Sequence, residues 1–376
     1  MRRLLLTLVA FVVLCAPAQA SRTMDIGLQD DYVLLGESGF PREIAFARAA
    51  ELGVTKIRAN VLWSRVLKGT QAERRTRPAR RTYELEHVDM LVALALEHGM
   101  KVELTLAGPA PRWATADRRK VSNTSPSAKE FARFAADVAK RYRGKVERYS
   151  IWNEPNWHTW LNPARTAAQQ YRALYLAAYS AIKRADPKAK VVLGELAPQA
   201  RAGSSFSPLR FLREVLCVDE RWKKRKGCGR VRADAVSLHP YDYRRSPKSK
   251  SVPAGDVTIG TVSRLTNALT RLRRAGALST AKGREPAVHL TEFAYFAAGP
   301  LAFSRSKRAQ YITQAFELAR KNPKVAELLY FGLLQRPDRQ WNTGLLRPDG
   351  APDTAFTSLK QWVERQKRRG LLNPGG

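Results

Sequence analysis

The feature that most constrains this chain is a repeat of one short apolar strand followed by one helix, which recurs eight times. Strand-like runs lie at residues 24–28, 55–59, 101–106, 146–152, 190–194, 233–238, 287–291 and 327–333. These runs are apolar and partly β-branched, as expected of strands that a parallel sheet buries on both faces. Helical patterns alternate with them at residues 41–53, 85–99, 127–144, 164–185, 208–216, 260–275, 306–321 and 353–368. The first begins with Pro41 and ends at Gly53, which fits a helix start and a helix C-cap.

Eight strand–helix units in one chain predict a single α/β domain with the (β/α)8 TIM barrel fold. The chain has 376 residues, 44% of them hydrophobic, which suffices for the core of one such barrel. No long linker or low-complexity insert interrupts the repeat, so we expect the barrel to occupy residues 21–376. A doubly wound parallel sheet is the alternative fold.

The first twenty residues have the pattern of a secretory signal peptide. Two arginines precede an apolar run at residues 4–16, and the sequence AQA at 18–20 is a small-x-small cleavage site. The run is short for a membrane span, and no later segment has about 18 consecutive apolar residues. A lipoprotein anchor at Cys15 is disfavoured because the preceding Leu14 is large. We therefore expect cleavage near Ala20 and a secreted or cell-envelope protein with no membrane span.

Two cysteines remain after the predicted cleavage, Cys217 and Cys228. An even count in an exported protein favours a disulfide, which would close the basic loop CVDERWKKRKGC. The alternative is a pair of free thiols.

The chain carries 66 Lys and Arg against 33 Asp and Glu, a net charge of +33. Such a charge attracts polyanions, whether nucleic acid, acidic polysaccharide or an anionic cell envelope. The absence of a helix-turn-helix, zinc-finger or RNA-binding motif, together with export, argues against nucleic acid as a partner. Simple solubility with a biased composition is the alternative interpretation.

Two glutamates follow apolar strands at positions where a barrel of this kind places its chemistry, the carboxyl ends of the strands. Glu154 ends the fourth strand, after Asn153, and Glu292 ends the seventh. Glycoside hydrolysis needs such a pair, one carboxyl to protonate the leaving oxygen and one carboxylate to attack or to activate water. A lone Glu is usually a solvated charge, but strand-end placement of both makes that reading weaker. Pro155 is expected to hold Glu154 in an extended backbone conformation.

Other strand ends supply polar partners for this pair. The second strand ends near Arg58, and the sixth is followed by His239 and Tyr241, which share a face because they are two residues apart. Taken alone, His239 could be a satisfied polar residue beneath the loops, and Arg58 could form a structural ion pair. No cluster of Cys and His with metal-ligand spacing is present, so we predict neither a metal nor an organic cofactor.

The motifs WNEPN, HPY and TEF on the fourth, sixth and seventh strands resemble those of the retaining glycoside hydrolases of clan A. The segments EPNWHTWLNP and YRALYLAAYSAIKRADPKAKVVLG are most similar to glycoside hydrolase family 39 and its relatives, with family 5 next. The resemblance extends over residues 24–363. It implies an enzyme, a retaining O-glycosyl hydrolase that acts on oligo- or polysaccharides by double displacement. A glycan-binding barrel without turnover is the alternative function.

The resemblance also implies roles for individual residues. Glu154 would be the general acid and base, and Glu292 the nucleophile. Four neighbours would serve the same subsite: Asn153 by bonding the sugar 2-hydroxyl, Arg58 by holding Glu292 ionised, Tyr241 by bonding Glu292, and His239 by lining the wall. Family 39 enzymes commonly carry an extra β-sandwich, which is not visible in this sequence. Glu195 stands where such sequences often have a second Gly, and it could bind a sugar hydroxyl or pair with an Arg.

Aromatic and basic residues near the strand ends bear on the carbohydrate ligand. Six of the eight Trp lie at strand ends or in the loops that follow: Trp63, Trp113, Trp152, Trp157, Trp160 and Trp341. We expect Trp341 to be a platform for a sugar ring, Trp157 to line the cleft and Trp152 to pack the loops.

Basic residues also follow the strands: Arg74, Arg75, Arg77, Arg80, Arg81, Arg118, Arg119, Lys120, Arg244, Arg245, Lys248, Lys250, Arg336 and Arg339. A basic rim on the catalytic face would favour an acidic, uronate-bearing glycan over a neutral one. The run at 223–226 precedes the sixth strand and is expected on the opposite face, so the positive charge is not confined to one side.

Overall fold

Eight parallel strands close into a barrel in the computed structural model, which describes residues 24–338 and 341–374. The strands are β1 (Asp25–Gln29), β2 (Lys56–Leu62), β3 (Lys101–Ala107), β4 (Arg148–Ile151), β5 (Lys190–Leu196), β6 (Ala235–Leu238), β7 (Ala287–Phe293) and β8 (Val325–Phe331). Each strand pairs in parallel with the next, and β8 closes the barrel against β1. The predicted (β/α)8 barrel is confirmed, and the doubly wound sheet is wrong because the barrel closes.

One long helix follows each strand and packs on the outside of the barrel. The helices are α1 (Arg42–Glu51), α2 (Glu86–Glu97), α3 (Ala128–Arg141), α4 (Ala167–Ala185), α5 (Pro208–Val215), α6 (Ser263–Arg274), α7 (Arg305–Lys321) and α8 (Thr354–Arg368). Helix α3 shows why the chain is helical here: Phe131, Phe134 and Val138 fall on one buried side, and the Ser127 hydroxyl accepts a hydrogen bond from the Glu130 amide at its start.

The elements agree with the predicted runs to within a few residues, and several small elements were not predicted. Short 3-10 helices at Gly69–Ala72 and Arg112–Ala114 are among them. A one-turn helix, Asp31–Leu34, follows β1 directly. A two-stranded parallel sheet pairs Val231–Arg232 with Leu278–Ser279. Two-residue strands are too short to show any period in a sequence. This minor sheet lies before β6 and β7, so it belongs to the end of the barrel opposite the strands' carboxyl ends.

The described residues include the predicted disulfide but not the predicted signal peptide. Cys217 and Cys228 are joined by a disulfide, with 6.2 Å between their Cα atoms. The signal peptide at 1–20, its cleavage near Ala20 and Cys15 lie outside the described residues. Within the part that is described, no helix has the length and apolar character needed to cross a membrane.

The interior of the barrel is filled by charged side chains in addition to aliphatic ones, whereas barrels of this fold usually fill it with branched aliphatic residues. One group, which we call the upper layer, lies towards the carboxyl ends of the strands and consists of Arg58, Glu195, His239 and Glu292. A second group, the lower layer, lies towards the amino ends and consists of Lys56, Glu103, Arg148, His289 and Glu327. Both groups are buried.

Candidate active site

Glu154 lies just beyond the end of β4, in a tight turn that the neighbouring strand holds. Its backbone N–H donates to the carbonyl oxygen of Glu195 at 2.8 Å, and its own carbonyl accepts from the Trp157 N–H at 2.8 Å. Its φ is +38°, in the left-handed region, so the expectation that Pro155 keeps this residue extended is wrong. A non-glycine residue in that region costs about 1–3 kcal/mol, and such residues are concentrated at functional sites. The turn directs the Glu154 carboxylate towards the barrel mouth, and the residue as a whole is 8% exposed.

Glu292 ends β7 with both carboxylate oxygens held by hydrogen bonds. Nη1 of Arg58 donates to Oε1 at 2.6 Å, and the Tyr241 hydroxyl donates to Oε2 at 2.9 Å. Burial and the charge of Glu292 raise the pKa of Tyr241 well above its ordinary value, so the hydroxyl keeps its proton and remains a donor. These two donors fix the orientation of the Glu292 carboxylate.

Arg58 crosses the barrel interior from β2 and connects the site residues to one another. Its Nη2 atom lies 2.9 Å from Oε2 of Glu195 and donates to Oδ1 of Asn153 at 3.1 Å. Its Nε atom donates to Thr105 at 2.8 Å, and Nη1 also contacts Gln29. Because Oδ1 of Asn153 is engaged, the amide nitrogen of Asn153 is the atom left to donate towards the cleft.

His239 lies between two carboxylates. Its Nδ1 is 2.9 Å from Oε1 of Glu154, and its Nε2 is 2.8 Å from Oε2 of Glu195 and 3.6 Å from Oε1 of Glu292. Burial alone would lower the pKa of His239, but the charge of Glu292 and the bonds to Glu154 and Glu195 raise it to about 10. The imidazole is therefore protonated at neutral pH and donates from both ring nitrogens.

Glu195 is fully buried, so it pairs with an Arg and does not line the cleft. Burial opposes its ionisation, yet the charge of Arg58 and the bond from His239 hold its pKa far below the usual range. Thr291 and Ser150 also lie within hydrogen-bond distance of its carboxylate, at 2.7 Å each. Of the two roles that the sequence left open for Glu195, the structure supports the ion pair.

An open cleft of about 1160 Å³ lies above these groups. Glu154, Glu292 and Asn153 form part of its floor. The aromatic residues of the wall are Trp157, Trp160, Tyr241, Tyr243, Phe296, Phe331 and Trp341. Trp341 is 39% exposed and stacks on Phe296 with ring centroids 5.6 Å apart, so one of its faces is available to a ligand. Trp rings held in this way suit the apolar faces of sugar rings.

Three of the six strand-end Trp residues pack the structure instead of lining the cleft. Trp63 is fully buried and stacks on Phe134 at 5.7 Å, and Trp113 contacts it edge-on at 5.9 Å. Trp152 is also fully buried, and its Nε1 donates to the Trp160 carbonyl at 2.6 Å. A position at a strand end identifies the loop on which a side chain lies, but the local backbone decides whether it faces the cleft or the helices.

Most of the basic residues expected at the rim do not reach the cleft. Arg81 pairs with Asp137 at 3.2 Å, and Arg339 lies outside the described residues. Arg244 and Arg245, both expected at the rim, line the cleft, and so does Arg201, which was not predicted there. Arg245 pairs with Asp242 at 2.9 Å. Arg201 and Arg244 are exposed, and within the described chain neither pairs with a carboxylate.

Sequence reasoning also missed the contribution of the first strand. Gln29, its last residue, contacts Arg58, and Asp31 lines the cleft in the one-turn helix that follows. Burial raises the pKa of Asp31 to about 6, although the charge of Arg58 and the bonds from Asn60 oppose the shift. The run QDD, which begins with the last residue of β1, was the available signal, since it places polar groups at a strand end like the other site residues.

A group of possible metal ligands exists, but it lies in the lower layer and a guanidinium occupies it. Glu103, His289 and Glu327 bring their ligand atoms within 4.8 Å of one another. Nη1 of Arg148 lies among them, 2.7 Å from Glu327 and 2.8 Å from Nδ1 of His289. The donor set is thus already satisfied by a cation of the chain itself, so these residues do not fit a metal centre.

A (β/α)8 barrel with carboxylates at the ends of its fourth and seventh strands defines the chain as a barrel of the glycoside hydrolase class. The family model for glycosyl hydrolases family 39 matches residues 12–274, and the chain belongs to this family. The resemblance noted from the motifs is thereby confirmed. No curated protein matches the sequence.

Solved structures share the fold at low sequence identity. A family 39 glycoside hydrolase from the gut symbiont Bacteroides cellulosilyticus WH2 matches with a TM-score of 0.66 and 18% identity over 92% of this chain and 64% of that one. A glucosidase from Croceicoccus marinus matches with a TM-score of 0.64 and 15% identity, covering 92% and 68%. A monomeric beta-xylosidase from Caulobacter crescentus CB15 matches with a TM-score of 0.57 and 19% identity, covering 90% and 68%. The chain thus spans about two thirds of the length of these enzymes, and the likeness concerns the fold.

Proposed function

We propose that this protein is an exported retaining glycosidase in which Glu292 is the nucleophile and Glu154 the general acid and base. The observation that carries the proposal is the arrangement of Glu292, whose two oxygens are held by Arg58 and Tyr241 at the floor of an open aromatic cleft. Membership of glycosyl hydrolases family 39 supports a carbohydrate substrate.

In the first step of the proposed reaction, an oxygen of Glu292 attacks the anomeric carbon. The bond from that carbon to the leaving oxygen breaks as Glu154 gives its proton to that oxygen, and a glycosyl ester of Glu292 forms. His239 engages Oε1 of Glu154 at 2.9 Å, so Oε2 is the oxygen available to carry the transferred proton. Because Oδ1 of Asn153 accepts from Arg58, its amide nitrogen would donate to a sugar hydroxyl next to the reacting carbon.

In the second step, water replaces the enzyme oxygen at the same carbon. Glu154, now ionised, takes a proton from the water, the ester bond to Glu292 breaks, and the sugar leaves with its original anomeric configuration. Arg58 and Tyr241 receive the carboxylate of Glu292 as it becomes charged again. The site then returns to its starting protonation state.

The product anomer and two matched variants test this assignment. The first product that NMR detects should keep the configuration of the substrate, and initial release of the opposite anomer would remove Glu292 from the role of nucleophile. Glu292→Gln should lower kcat on all glycosides. Glu154→Gln should lower it strongly on substrates with poor leaving groups and much less on activated aryl glycosides, which need no protonation.

Glu220→Gln is the matched control, because Glu220 is exposed in the loop before β6, away from the cleft, and its substitution should leave kcat unchanged. If the wild-type protein binds glycans in this cleft but turns over no glycoside, the alternative of a non-catalytic glycan-binding barrel is favoured.

We further propose an acidic glycan as the substrate, bound through the cleft cations that have no carboxylate partner. Arg201 lies over the Trp157 ring at 5.7 Å, which leaves its guanidinium beside a ring that suits a sugar. Arg244 adds a second positive charge to the same cleft. A uronate carboxylate could accept from either guanidinium. Nucleic acid is not a proposed partner.

Paired substrates test this preference. The ratio of kcat/KM for an aryl uronide over the matching neutral aryl glycoside should fall in Arg201→Gln/Arg244→Gln. Raising the salt concentration should also lower that ratio in the wild type. An unchanged ratio in the variant would assign the cleft to neutral sugars.

Export is proposed on two grounds, the signal-like segment at 1–20 and the Cys217–Cys228 disulfide. Disulfides persist mainly in oxidising compartments outside the cytosol. Mass spectrometry of the protein from the producing cell should show a mature chain that begins near Ser21, and a full-length chain in the cytosol would contradict the proposal.

A further inference from the structure

The barrel end opposite the cleft presents a group of cations that outnumbers the acids in the same segments. Two segments form it, the loop 217–234 before β6 and the stretch 271–286 before β7, and both lie at the amino ends of the strands. Their cations, which we call the basal cationic surface, are Arg221, Lys223, Lys224, Arg225, Lys226, Arg230, Arg232, Arg271, Arg273, Arg274, Lys282 and Arg284. All twelve are exposed, and none pairs with a carboxylate of the described residues.

Four acids lie in these segments, and none forms an ion pair with a cation of the basal cationic surface. Asp234 pairs with Lys183 at 3.0 Å, and Glu285 pairs with Lys324 at 2.8 Å. Neither of these two lysines belongs to the basal cationic surface. Asp219 accepts the backbone N–H of Lys223 at 2.8 Å, and Glu220 is exposed. Cations in such proximity repel one another, so this surface costs stability unless an anion binds to it.

The chain nevertheless holds this surface in place by three separate contacts. The disulfide Cys217–Cys228 closes the loop that carries four consecutive cations. Trp222 in the same loop lies between the guanidinium groups of Arg213 and Arg271, at 5.7 Å and 5.4 Å. The minor sheet, with Arg232 paired to Ser279, ties the two segments together. A repulsive loop that is fixed at three points is preorganised for a ligand of opposite charge.

A cavity with a cationic lining lies between the two segments. It measures about 370 Å³ and is lined by Lys224, Arg230 and Arg232 on one side and by Ser279, Thr280 and Gly283 on the other. Three cations and two hydroxyls thus face one pocket, and no carboxylate lines it. Arg230 is positioned by its Nε, which donates to the Gly276 carbonyl at 3.3 Å. A carboxylate or sulfate group would find both charge and hydrogen-bond donors here.

We propose that the basal cationic surface is a second carbohydrate-binding site, which holds an acidic polysaccharide at the end of the barrel opposite the cleft. The choice of a polysaccharide rests on the proposed glycosidase function, whereas the anionic character of the ligand rests on the surface alone. Bound in this way, the polymer keeps the enzyme beside its substrate while the cleft remains free to engage a separate part of the same chain.

Two charge-matched variants test the site. The first, Lys223→Gln/Lys224→Gln/Arg225→Gln/Lys226→Gln, removes four charges from the surface. The second, Lys129→Gln/Lys140→Gln/Arg165→Gln/Arg184→Gln, removes four exposed cations that lie on the third and fourth helices or, for Arg165, just before the fourth, and that form no ion pair within the described residues. Binding of polygalacturonate is measured by titration at near-physiological salt, with neutral dextran as the blank. We expect about tenfold weaker binding for the first variant and less than about twofold for the second.

Equally weakened polygalacturonate binding in both variants would contradict the proposed site, because binding would then depend on net charge alone. Arg230→Gln/Arg232→Gln provides an independent arm that leaves the disulfide loop unaltered, and it should also weaken binding. Duplex DNA or anionic vesicles bound more tightly than polygalacturonate, with the same dependence on the variants, would overturn the choice of partner. Turnover of a small neutral aryl glycoside should be unchanged in all variants, so failure of this proposal remains distinct from failure of the proposed activity.

Discussion

The upper and lower layers of the barrel interior contain the same kinds of side chain, yet their histidines behave in opposite ways. In the upper layer, His239 lies between two carboxylates, and its pKa is raised to about 10. In the lower layer, burial lowers the pKa of His289 to about 3, and Arg148 and Lys56 add to this effect against the opposing charge of Glu327. One histidine is therefore a cation at neutral pH, and the other is neutral.

The difference follows from which neighbour approaches each ring. Nη1 of Arg148 lies 2.8 Å from Nδ1 of His289, so the ring must accept a hydrogen bond and cannot be protonated there. Both nitrogens of His239 face acceptors. The upper layer thus has positive groups arranged around Glu292, whose carboxylate faces a cleft, whereas the charges of the lower layer pair with one another inside a closed interior. A buried ionic network becomes a candidate active site only where it adjoins space for a ligand.

The largest expected effect is a loss of activity on removing the upper-layer cation Arg58 that does not occur on removing the lower-layer cation Arg148. Arg58→Met and Arg148→Met each remove a buried cation and leave carboxylates unpaired, so each should destabilise the fold by about 3–5 kcal/mol. Only Arg58→Met should also lower kcat of the folded enzyme, by about 10²–10³-fold, because it removes a donor to the proposed nucleophile. Denaturant titrations and steady-state assays at a temperature where both variants are folded provide the measurements. A comparable loss of kcat in Arg148→Met would show that the lower layer takes part in the reaction.

The contributions of the two histidines to the free energy of unfolding should change with pH in opposite directions. The folded-state pKa of His239 lies above its unfolded value near 6.5, so its contribution to stability is present below pH 6.5 and is lost as pH rises towards 10. The folded-state pKa of His289 is depressed, so its contribution is present above pH 6.5 and is lost as pH falls towards 3. Each loss has a slope of at most about 1.4 kcal/mol per pH unit.

Substitution of each histidine should flatten one limb of the curve. His239→Gln should reduce the alkaline loss of stability between pH 7 and 9, and His289→Gln should reduce the acid loss between pH 6 and 4. Urea unfolding at a series of pH values measures both. Curves for His239→Gln and the wild type that remain parallel from pH 7 to 9 would contradict a protonated His239.

How much of this could be read from the sequence differs between fold and site. The alternation of apolar strands with amphipathic helices was sufficient to predict the barrel, because eight repeats are compatible with few other architectures. The residue types at the strand ends were sufficient to predict that five residues lie together, and the structure shows contacts among them: Glu154, Glu292, Arg58, His239 and Tyr241. Their roles in catalysis stay predictions.

The direction of side chains was not predictable in the same way. Glu195 and Trp63 both lie at strand ends, yet both are fully buried. Glu195 has φ +51°, after Gly194 at φ +137°, where an added Cβ would lie 2.3 Å from the Ser237 carbonyl oxygen. This local departure from strand geometry decides where the carboxylate points, and no periodic pattern in a sequence records it. The lower layer was missed for another reason: its charges fall within apolar runs, and their compensation depends on partners far apart along the chain, such as Arg148 and Glu327.

The smallest expected effect concerns Ser150, the hydroxyl that links the two layers. Its Oγ lies 2.5 Å from Oε1 of Glu103 and 2.7 Å from Oε1 of Glu195. A hydroxyl has one hydrogen, so it cannot donate to two carboxylates at once. Burial and the charges of Glu327 and Glu195 raise the pKa of Glu103 to about 8, so Glu103 is protonated at neutral pH and donates to Ser150, which donates to Glu195.

Glu103→Gln keeps this chain of donors intact, because the Gln amide can donate to Ser150 as the protonated carboxyl does. At pH 5 we therefore expect its free energy of unfolding to lie within about 1 kcal/mol of the wild type. The folded-state pKa of Glu103 is raised, so the wild type loses stability as pH rises from about 4.5 through 8, whereas the variant has no proton to lose there. Urea unfolding should show the variant gaining on the wild type across that interval. A variant that is much less stable at pH 5 would mean that Glu103 is ionised in the folded protein, with its charge and that of Glu327 offsetting those of Lys56 and Arg148.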